Sequence, residues 1–289
     1  MKRQQSFQNS QATLYIIATP IGNLSEISPR VITTLKEVEV VFCEDTRVSG
    51  QLLNYLNIKK PLISAYENIE RQSCEKAIQY LKDRKNIAFL SDAGYPGISD
   101  PGHIMIQEAI KNDFNVVVIN GPCALIQSVI ASGFSTEHFY FYGFLNAKSN
   151  VRKDELKQLK SIKDTLIFYQ SPHKIEGCLK DMLEIFGNRN ICLCRELTKK
   201  FEEYIRGTIS EILSIVDSLK GEMVVIVQGN QDYLKNENVE FDELIVKVNE
   251  LIQKGIKTMD AIKEISTIYD VSKKELYQYY HNNGGNQDE

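Results

Sequence analysis

The chain has 289 residues, of which 43% are hydrophobic and 25% charged, and its formal net charge is −4 at pH 7. This composition is typical of a globular protein of about two domains with a full apolar core. No apolar run approaches the length of a membrane span, and the polar stretch 1–12 lacks the apolar segment of a secretory signal. We therefore expect a soluble, cytoplasmic protein without membrane contact, in which residues 1–12 form a disordered tail. The acidic balance excludes nonspecific coating of nucleic acid by the whole surface, although a local basic patch stays possible.

The first part of the chain alternates strand-like apolar runs with amphipathic helical segments. It begins with TLYIIA at 13–18 and PRVITTLKEV at 29–38, and continues through VEVVFCE, NIAFLS and NVVVIN. This alternation predicts an α/β domain over residues 13–122. Ser28 followed by Pro29 is a good helix start, so the segment between the first strand and the first helix is predicted to be a loop.

Four loops that follow these strands have unusual sequences. They read TPIGN, CEDTR, SDAGYPGISDPG and NGPCA. In open α/β sheets, ligands bind at the carboxyl ends of the strands, where these loops lie. Glycine and proline shape tight loops whose amides can face an anion, and the loops also supply carboxylates that accept hydrogen bonds from hydroxyl, amine or cationic groups, namely Glu44, Asp45, Asp92 and Asp100. The pattern indicates a ligand of mixed charge.

The identity of that ligand is narrowed by motifs that the loops lack. None of them matches GxGxxG or a Walker loop, which argues against NAD and nucleoside triphosphates. S-adenosylmethionine fits better, because it offers a carboxylate, an ammonium, a sulfonium and ribose hydroxyls. The residues alone leave the ligand open, since a single Gly/Pro loop is most often an ordinary turn. The six cysteines form neither a CxxC pair nor a Cys/His cluster, so no metal site is predicted.

The remaining chain predicts a second domain and a helical appendage. Strand-like runs TLIFYQ, NICLCRE, EEYIRGT and EMVVIVQG indicate a second α/β domain over residues 123–231. After a polar linker, residues 240–282 have the periodicity of three short helices, and one apolar stripe runs along the first of them. We interpret this appendage as a docking element for RNA or for another subunit.

Taken in order, the motifs resemble one family. The motifs ATPIGNL, EDTR, SDAG.P.ISDPG, GPCA, GFL.AKS..R, FY.SPHK, RELTK and GEMV occur here as they do in the small-subunit ribosomal RNA (cytidine-2'-O)-methyltransferases, which belong to the tetrapyrrole methylase superfamily. The resemblance covers about residues 13–281. It implies a two-domain tetrapyrrole-methylase-like α/β fold with a small C-terminal helical appendage, S-adenosylmethionine in the cleft between the domains, a homodimer, and methylation of a cytidine ribose 2'-hydroxyl in small-subunit ribosomal RNA.

The resemblance also implies which residues contact the cofactor. They are carried over onto the matching loops and onto two second-domain strands: Pro20, Gly22, Asp92, Ala93, Gly94, Asp100, Ala124, Phe168 and Met223.

Catalytic candidates follow from the chemistry of methyl transfer to a hydroxyl. The enzyme must hold the accepting oxygen on the axis behind the methyl group and exclude water, and a nearby base can take the hydroxyl proton. We take Asp45, Glu196 and Lys199 as candidates for this base, and Arg47 and Arg195 as groups that orient a phosphate or a carboxylate. Asp45 could equally be a helix cap, and Arg195 and Glu196 could form a structural ion pair.

Basic residues near the expected cleft are candidates for RNA contact, because cations neutralise phosphates. Three lie at the predicted domain hinge, and three follow second-domain strands: Lys148, Arg152 and Lys153, then His173, Lys174 and Arg195.

Departures from the family pattern keep two other functions open. Tyr95 replaces an expected Thr, Gln170 an expected Glu, and Lys174 an expected Arg. One alternative is a methyltransferase of the same superfamily that acts on a small tetrapyrrole-like molecule. The other is a catalytically idle ribosome assembly factor, which would not turn over S-adenosylmethionine.

Overall fold

The computed structural model describes residues 1–66, 70–231, 240–269 and 271–283. Its first sheet has five strands in the order β3-β2-β4-β1-β5, and every pair is parallel. The strands are β1 (Thr13–Ile17), β2 (Val40–Cys43), β3 (Leu62–Ser64), β4 (Ile87–Leu90) and β5 (Asn115–Ile119). Central strands of a parallel sheet are covered on both faces, which explains why β2 and β4 are continuously apolar and buried.

Four helices cover this sheet: α1 (Pro29–Glu37), α2 (Thr46–Tyr55), α3 (Glu70–Lys82) and α4 (His103–Lys111). α1 and α2 pack on the face that contains Ile17 and Val41, and α3 and α4 pack on the face that contains Leu14 and Phe42. The predicted alternation of strands and helices is therefore confirmed in this part of the chain. All four loops singled out in the sequence lie at one edge of the sheet, because parallel strands end on the same side.

Two side chains explain where helices begin near that edge. Ser28 Oγ accepts a hydrogen bond from the Val31 amide at 3.3 Å and caps α1. Asp45 Oδ1 accepts one from the Arg47 amide at 2.8 Å and caps α2. Both bonds satisfy amides that the first turn of a helix leaves free. Asp45 is thus a cap as well as a candidate site residue.

The second sheet also has five strands, in the order β6-β7-β10-β8-β9. β6 runs parallel to β7, and the other pairs are antiparallel. The strands are β6 (Phe139–Phe144), β7 (Thr165–Gln170), β8 (Asn190–Arg195), β9 (Glu203–Thr208) and β10 (Met223–Val227), and the helices are α5 (Ala124–Ser132), α6 (Ser149–Leu159), α7 (Ile175–Phe186) and α8 (Ile209–Leu213). α5 links the two sheets along the chain and packs on one face of the second.

Packing divides the chain differently from the predicted domains. Residues 1–159 and 165–227, which include both sheets, form one compact unit, and residues 160–164 with the described residues from 228 onward form another. The predicted boundary between 122 and 123 falls between the two sheets, just before α5. The domain bounds themselves stay a prediction.

The second unit contains three helices, α9 (Phe241–Gln253), α10 (Thr258–Ile268) and α11 (Lys273–Asn283). They enclose a small apolar core in which Leu244, Ile262 and Leu276 are fully buried. The apolar stripe of α9 thus faces α10 and α11, and the three helices form a small bundle. Their docking role stays a prediction. Among the described residues, no helix combines the length and apolarity that crossing a bilayer requires.

The amino-terminal residues differ from the disordered tail that the sequence predicts. The Lys2 ammonium donates hydrogen bonds to the carbonyls of Ile110 and Lys111, both at 2.9 Å. The Gln4 carboxamide accepts from the Val116 amide at 3.0 Å and donates to the Val116 carbonyl at 2.9 Å. β5 is an edge strand, so its backbone groups are open to such side chains.

Candidate active site

A main cleft opens where the loops of the first sheet face the second sheet. Its volume is about 350 Å³, which lies within the range of about 300–1,000 Å³ of ligand pockets. Apolar side chains dominate its lining, together with a few polar groups. The lining residues are Ile21, Ala93, Gly94, Tyr95, Ile98, Ser99, Asp100, Cys123, Ala124, Phe144, Tyr169, Gln170, Ser171, Pro172, Leu197, Glu222, Met223 and Val224.

The structure distributes the predicted cofactor residues over two cavities. Five of them line the main cleft, namely Ala93, Gly94, Asp100, Ala124 and Met223. Pro20, Gly22 and Asp92 instead line a second cavity of about 250 Å³ beside α2, which we call the α2 cavity. The two cavities adjoin, because Ile21 and Ala93 line one while their chain neighbours line the other.

Phe168 does not line either cavity. Its side chain is fully buried, and its ring contacts Tyr142 at a centroid distance of 5.8 Å. Successive side chains of a strand point to opposite faces, so the neighbouring Tyr169 is the aromatic residue that faces the cleft. The prediction for Phe168 is corrected to Tyr169, and the alternation along TLIFYQ is the signal that could have identified it.

The loop after β4 is held against the loop after β1. The Thr19 amide donates to the Gly94 carbonyl at 2.9 Å, and the Gly94 amide donates to the Thr19 carbonyl at 3.1 Å. Tyr95, where the family pattern has Thr, extends this network, since its hydroxyl accepts from the Gly121 amide at 3.1 Å and donates to the Gly121 carbonyl at 3.3 Å. Tyr95 therefore links the loops after β4 and β5 at the wall of the cleft.

Carboxylates gather on the first-sheet side of the site. Burial raises the pKa of Asp100 to about 7, and the neighbouring Glu44 and Asp92 carboxylates contribute to the rise. Burial likewise raises the pKa of Glu44 and of Asp92 above their ordinary values. Asp92 accepts a hydrogen bond from the Asp45 amide at 3.1 Å. These three carboxyls hold protons more readily than exposed ones.

The pKa of Asp45 is shifted in the opposite direction from those of Glu44, Asp92 and Asp100. Hydrogen bonds from the Arg47 side chain and amide lower the pKa of Asp45 to about 2. Such a carboxylate is a weak base. The Arg47 guanidinium is 87% exposed and is free to reach an anion in solution while one side of it pairs with Asp45.

The second sheet supplies an ion-paired loop after β8. Lys199 Nζ donates to Glu196 Oε1 at 3.1 Å and to Glu222 Oε2 at 2.8 Å. Burial opposes the charged form of both Lys199 and Glu196, but these hydrogen bonds outweigh it, so the pKa of Lys199 is raised and that of Glu196 is lowered. Arg195 binds Glu203 and the Lys220 carbonyl. The protonated Lys199 has no free electron pair to accept a proton, and the lowered pKa of Glu196 makes its carboxylate a weaker base, so both are weaker candidates than the sequence indicates.

The backbone of this loop adopts an uncommon conformation. Glu196 has φ of 50° and Thr198 has φ of 64°, which is the left-handed region that non-glycine residues seldom occupy. Observed strain of this kind concentrates at functional sites. The Thr198 hydroxyl is buried and has no hydrogen-bond partner among the described residues.

Gly22 brings the two sides of the site together. A Cβ on Gly22 would stand 2.5 Å from Lys199 Cγ and 2.9 Å from Thr198 Oγ1. The loop after β1 and the loop after β8 therefore meet at a point that has no room for a side chain. This contact places Lys199 at the rim of the α2 cavity, which Gly22 lines.

We expect Gly22→Ala to lower the kcat/KM of the reaction at this site by about tenfold to 100-fold, because a shift of about 1 Å in a site can cost about 100-fold. Gly50→Ala is the matched control, since its new Cβ would lie at an ordinary 3.6 Å from Leu62 Cδ1. Steady-state rates and thermal unfolding of both variants check the prediction. Equal rates for the two variants would show that the close approach is not needed.

The predicted RNA-binding residues fall into two groups. Lys148, His173 and Lys174 are exposed. Lys153 pairs with Glu184 and Arg195 with Glu203, and both keep partial exposure. Arg152 belongs to neither group, because it is buried.

Arg152 is buried and is corrected from an RNA ligand to a structural residue. Its guanidinium binds Asp181 through Nε at 2.7 Å and through Nη2 at 2.6 Å. It also donates to the carbonyls of Asn146, Ala147 and Gly177. A guanidinium whose donors are occupied in this way has none left for a phosphate.

Comparison with known proteins assigns the class. The family model for Tetrapyrrole (Corrin/Porphyrin) Methylases matches residues 13–213, and this chain belongs to that family. Diphthine synthase shares the fold with a TM-score of 0.58 at 11% identity, over 75% of this chain and 90% of that one. Uroporphyrin-III-C-methyltransferase from Thermus thermophilus does so with a TM-score of 0.55 at 16% identity, over 75% and 94%. The predicted fold class is confirmed.

Relatives of higher sequence identity share one name. Ribosomal RNA small subunit methyltransferase I of Halalkalibacterium halodurans is 42% identical over 97% of this chain and 99% of its own length. The protein of the same name from Haemophilus influenzae is 40% identical over 92% of this chain and 95% of its own. The resemblance inferred from the ordered motifs is thus confirmed.

Proposed function

We propose that this protein is an S-adenosylmethionine-dependent methyltransferase that methylates the ribose 2'-hydroxyl of a cytidine in small-subunit ribosomal RNA. The near full-length similarity to proteins named ribosomal RNA small subunit methyltransferase I supports this function. The family model ends at residue 213, whereas those relatives match 92–97% of the chain, so the similarity extends into α9–α11. The relatives that share this extension are named as RNA methyltransferases, so the extension favours RNA as the substrate over a tetrapyrrole.

The main cleft fits the cofactor. Ile21, Leu197 and Val224 provide apolar walls for a flat adenine, and the Asp100 carboxyl can accept from hydroxyl or ammonium groups. S-adenosylmethionine supplies a methyl group bound to a positively charged sulfur, which is the electrophile of the reaction. Residues of the chain bind and orient this group and exclude water from it.

Asp100 predicts a pH dependence of cofactor binding. Its pKa of about 7 means that it is largely protonated below that pH. Glu44 and Asp92 are the charged neighbours that raise this pKa, and Tyr169 stays neutral because burial raises its pKa to about 12. A cationic ligand favours the ionised carboxylate, so binding below pH 7 releases a proton, and affinity rises with pH up to about 7.

We expect calorimetry in two buffers of different protonation enthalpy to detect this proton release at pH 6 and to find little of it at pH 8. Asp100→Asn should remove the pH dependence and weaken binding about tenfold, which corresponds to one hydrogen bond to a charged group. Proton release that persists in Asp100→Asn would assign the titration to another residue.

Activation of the acceptor hydroxyl is assigned to Asp92, supported by its raised pKa and its place in the α2 cavity. Asp45 orients Arg47, whose exposed guanidinium can bind an RNA phosphate. Lys199, held protonated by Glu196 and Glu222, contributes positive charge near the acceptor. These roles replace the proposal of Asp45, Glu196 or Lys199 as the base.

Substrate RNA is proposed to contact the exposed basic residues around the cleft, Lys148, His173 and Lys174, with Lys153 and Arg195 at the margin.

The helices α9–α11 are proposed as a docking element. We further propose a homodimer and a reaction in the cytoplasm, where small ribosomal subunits are found. The separation of phosphate contacts from the cofactor cleft predicts that salt weakens RNA binding and spares cofactor affinity.

One experiment tests the function directly. The purified protein is incubated with methyl-labelled S-adenosylmethionine and small ribosomal subunits that lack the modification, and the label is mapped by nuclease digestion and mass spectrometry. Label on one cytidine 2'-oxygen is the expected result. Cofactor binding without label on RNA would favour a tetrapyrrole-like small substrate, and absence of turnover with any acceptor would favour an idle assembly factor.

A further inference from the structure

The α2 cavity has a lining distinct from that of the main cleft. Part of it comes from the loops after β1 and β4, and the rest from α2 and the short helical turn Leu24–Glu26. The residues that the inference uses are Gly22, Val48, Gln51, Tyr55 and Asp92. Its volume of about 250 Å³ suits one nucleobase more than a macrocycle.

The wall between the two cavities is thin. It consists of the loop segments 19–22 and 92–94, which are joined by the paired hydrogen bonds between Thr19 and Gly94. Ile21 faces the main cleft and Gly22 the α2 cavity, while Ala93 faces the cleft and Asp92 the cavity. A base bound in the α2 cavity would therefore lie close to the cofactor without sharing its space, and its ribose would have to reach around the rim of this wall to bring the 2'-oxygen into line with the methyl group.

The exposed face of α2 has the side chains that recognise a base. Val48, Gln51 and Tyr55 are spaced by three and four residues, so they lie along one side of the helix, and all three are exposed. Tyr55 is 57% exposed, which is high for a large aromatic ring. Aromatic rings stack on unpaired bases, and amide side chains form hydrogen bonds with base edges.

We infer that the α2 cavity binds the base of the methyl-accepting nucleotide, unstacked from the ribosomal RNA, with Tyr55 stacking on its ring and Gln51 binding its polar edge. This inference rests on the proposed function and extends it to the choice of nucleotide. Base binding here holds the attached ribose at the rim formed by Gly22 and Asp92, beside the cofactor. Enzymes that do chemistry on a base likewise take that base out of the stack and hold it in a pocket.

The first test measures kcat/KM for unmodified small subunits and the affinity for S-adenosylmethionine. Gln51→Ala and Tyr55→Ala should each lower kcat/KM about tenfold or more, in line with lost base contacts, while cofactor affinity stays within about twofold. Tyr55→Phe, which keeps the ring, should restore most of the rate. Asn54→Ala is the matched control, since Asn54 is exposed on the same helix but lines a separate groove with Lys59 and Lys60.

The second test asks whether Gln51 reads the base. Small subunits are reconstituted with uridine in place of the target cytidine, and the ratio of rates for cytidine over uridine is compared between the unaltered protein and Gln51→Ala. A ratio that falls about tenfold supports base reading. A helix that merely supports the fold would lower both rates equally and leave the ratio unchanged.

The outcomes separate the inference from the function on which it rests. Unaltered protein that labels the cytidine, together with variants at Gln51 and Tyr55 that keep full kcat/KM, would overturn the inference alone. Variants that lose cofactor affinity would assign the α2 cavity to the cofactor and also overturn it. Unaltered protein that labels no RNA would overturn the proposed function first.

Discussion

Asp92→Asn is expected to lower kcat about 100-fold to 10,000-fold, which is the usual contribution of a positioned general base. The substitution keeps the shape of the side chain and an oxygen that can accept from the Asp45 amide, now 3.1 Å away. It removes the carboxylate that lines the α2 cavity and whose pKa burial raises. Single-turnover rates with unmodified small subunits measure the effect.

Two comparisons make this result decisive. Affinity for S-adenosylmethionine, measured by calorimetry, should change less than about threefold in Asp92→Asn, which corresponds to well under 1 kcal/mol. Asp45→Asn should lower kcat by about tenfold or less, because Asp45, with a pKa of about 2, orients Arg47 and caps α2. If Asp45→Asn lowered kcat more than Asp92→Asn did, Asp45 would be the general base. A large loss of cofactor affinity in Asp92→Asn would place Asp92 at the cofactor.

Arg152→Ala is expected to lower the free energy of unfolding by about 3–5 kcal/mol, the cost of leaving one charge of a buried pair without its partner. Asp181, whose side chain is 9% exposed, would keep only the hydrogen bonds from Ser149 and a distant contact with Lys153 at 3.8 Å. Three backbone carbonyls would lose a donor as well. Urea unfolding followed by circular dichroism checks the value.

Lys153→Ala is the control for this prediction. The Lys153 side chain is 27% exposed and pairs with Glu184, whose side chain is 57% exposed. Because water can replace Lys153 at Glu184 and its contact with Asp181 is long at 3.8 Å, its loss should lower the free energy of unfolding much less than the loss of Arg152 does. If Arg152→Ala were as stable as Lys153→Ala and reduced the salt dependence of RNA binding, Arg152 would be a phosphate ligand after all.

Much of the fold was predictable because it depends on local patterns. Alternating apolar runs and helical segments identified the first sheet and its helices, and Ser28 with Pro29 marked the start of α1. The four unusual loops could be expected to cluster, since parallel strands end on one side. Four of the nine predicted cofactor residues, Ala93, Gly94, Asp100 and Ala124, line the main cleft for that reason, whereas Met223 reaches it from the second sheet.

The remaining assignments depend on contacts between distant parts of the chain. The basic hinge motif that contains Arg152 looks like a phosphate site, but its partner Asp181 lies 29 residues further on, in α7. The raised pKa of Asp92 comes mainly from burial, which depends on how the chain packs around it. Residue spacing contains no information about such environments.

The hydrogen bonds between Gln4 and Val116 also bear on the behaviour of the protein at high concentration. One carboxamide supplies a donor and an acceptor to the outer side of β5, much as a peptide unit of a neighbouring strand would. Unprotected edge strands are templates for aggregation, because another chain can pair with them. The amino-terminal residues thus shield an edge at which molecules of this protein could otherwise associate into insoluble sheets.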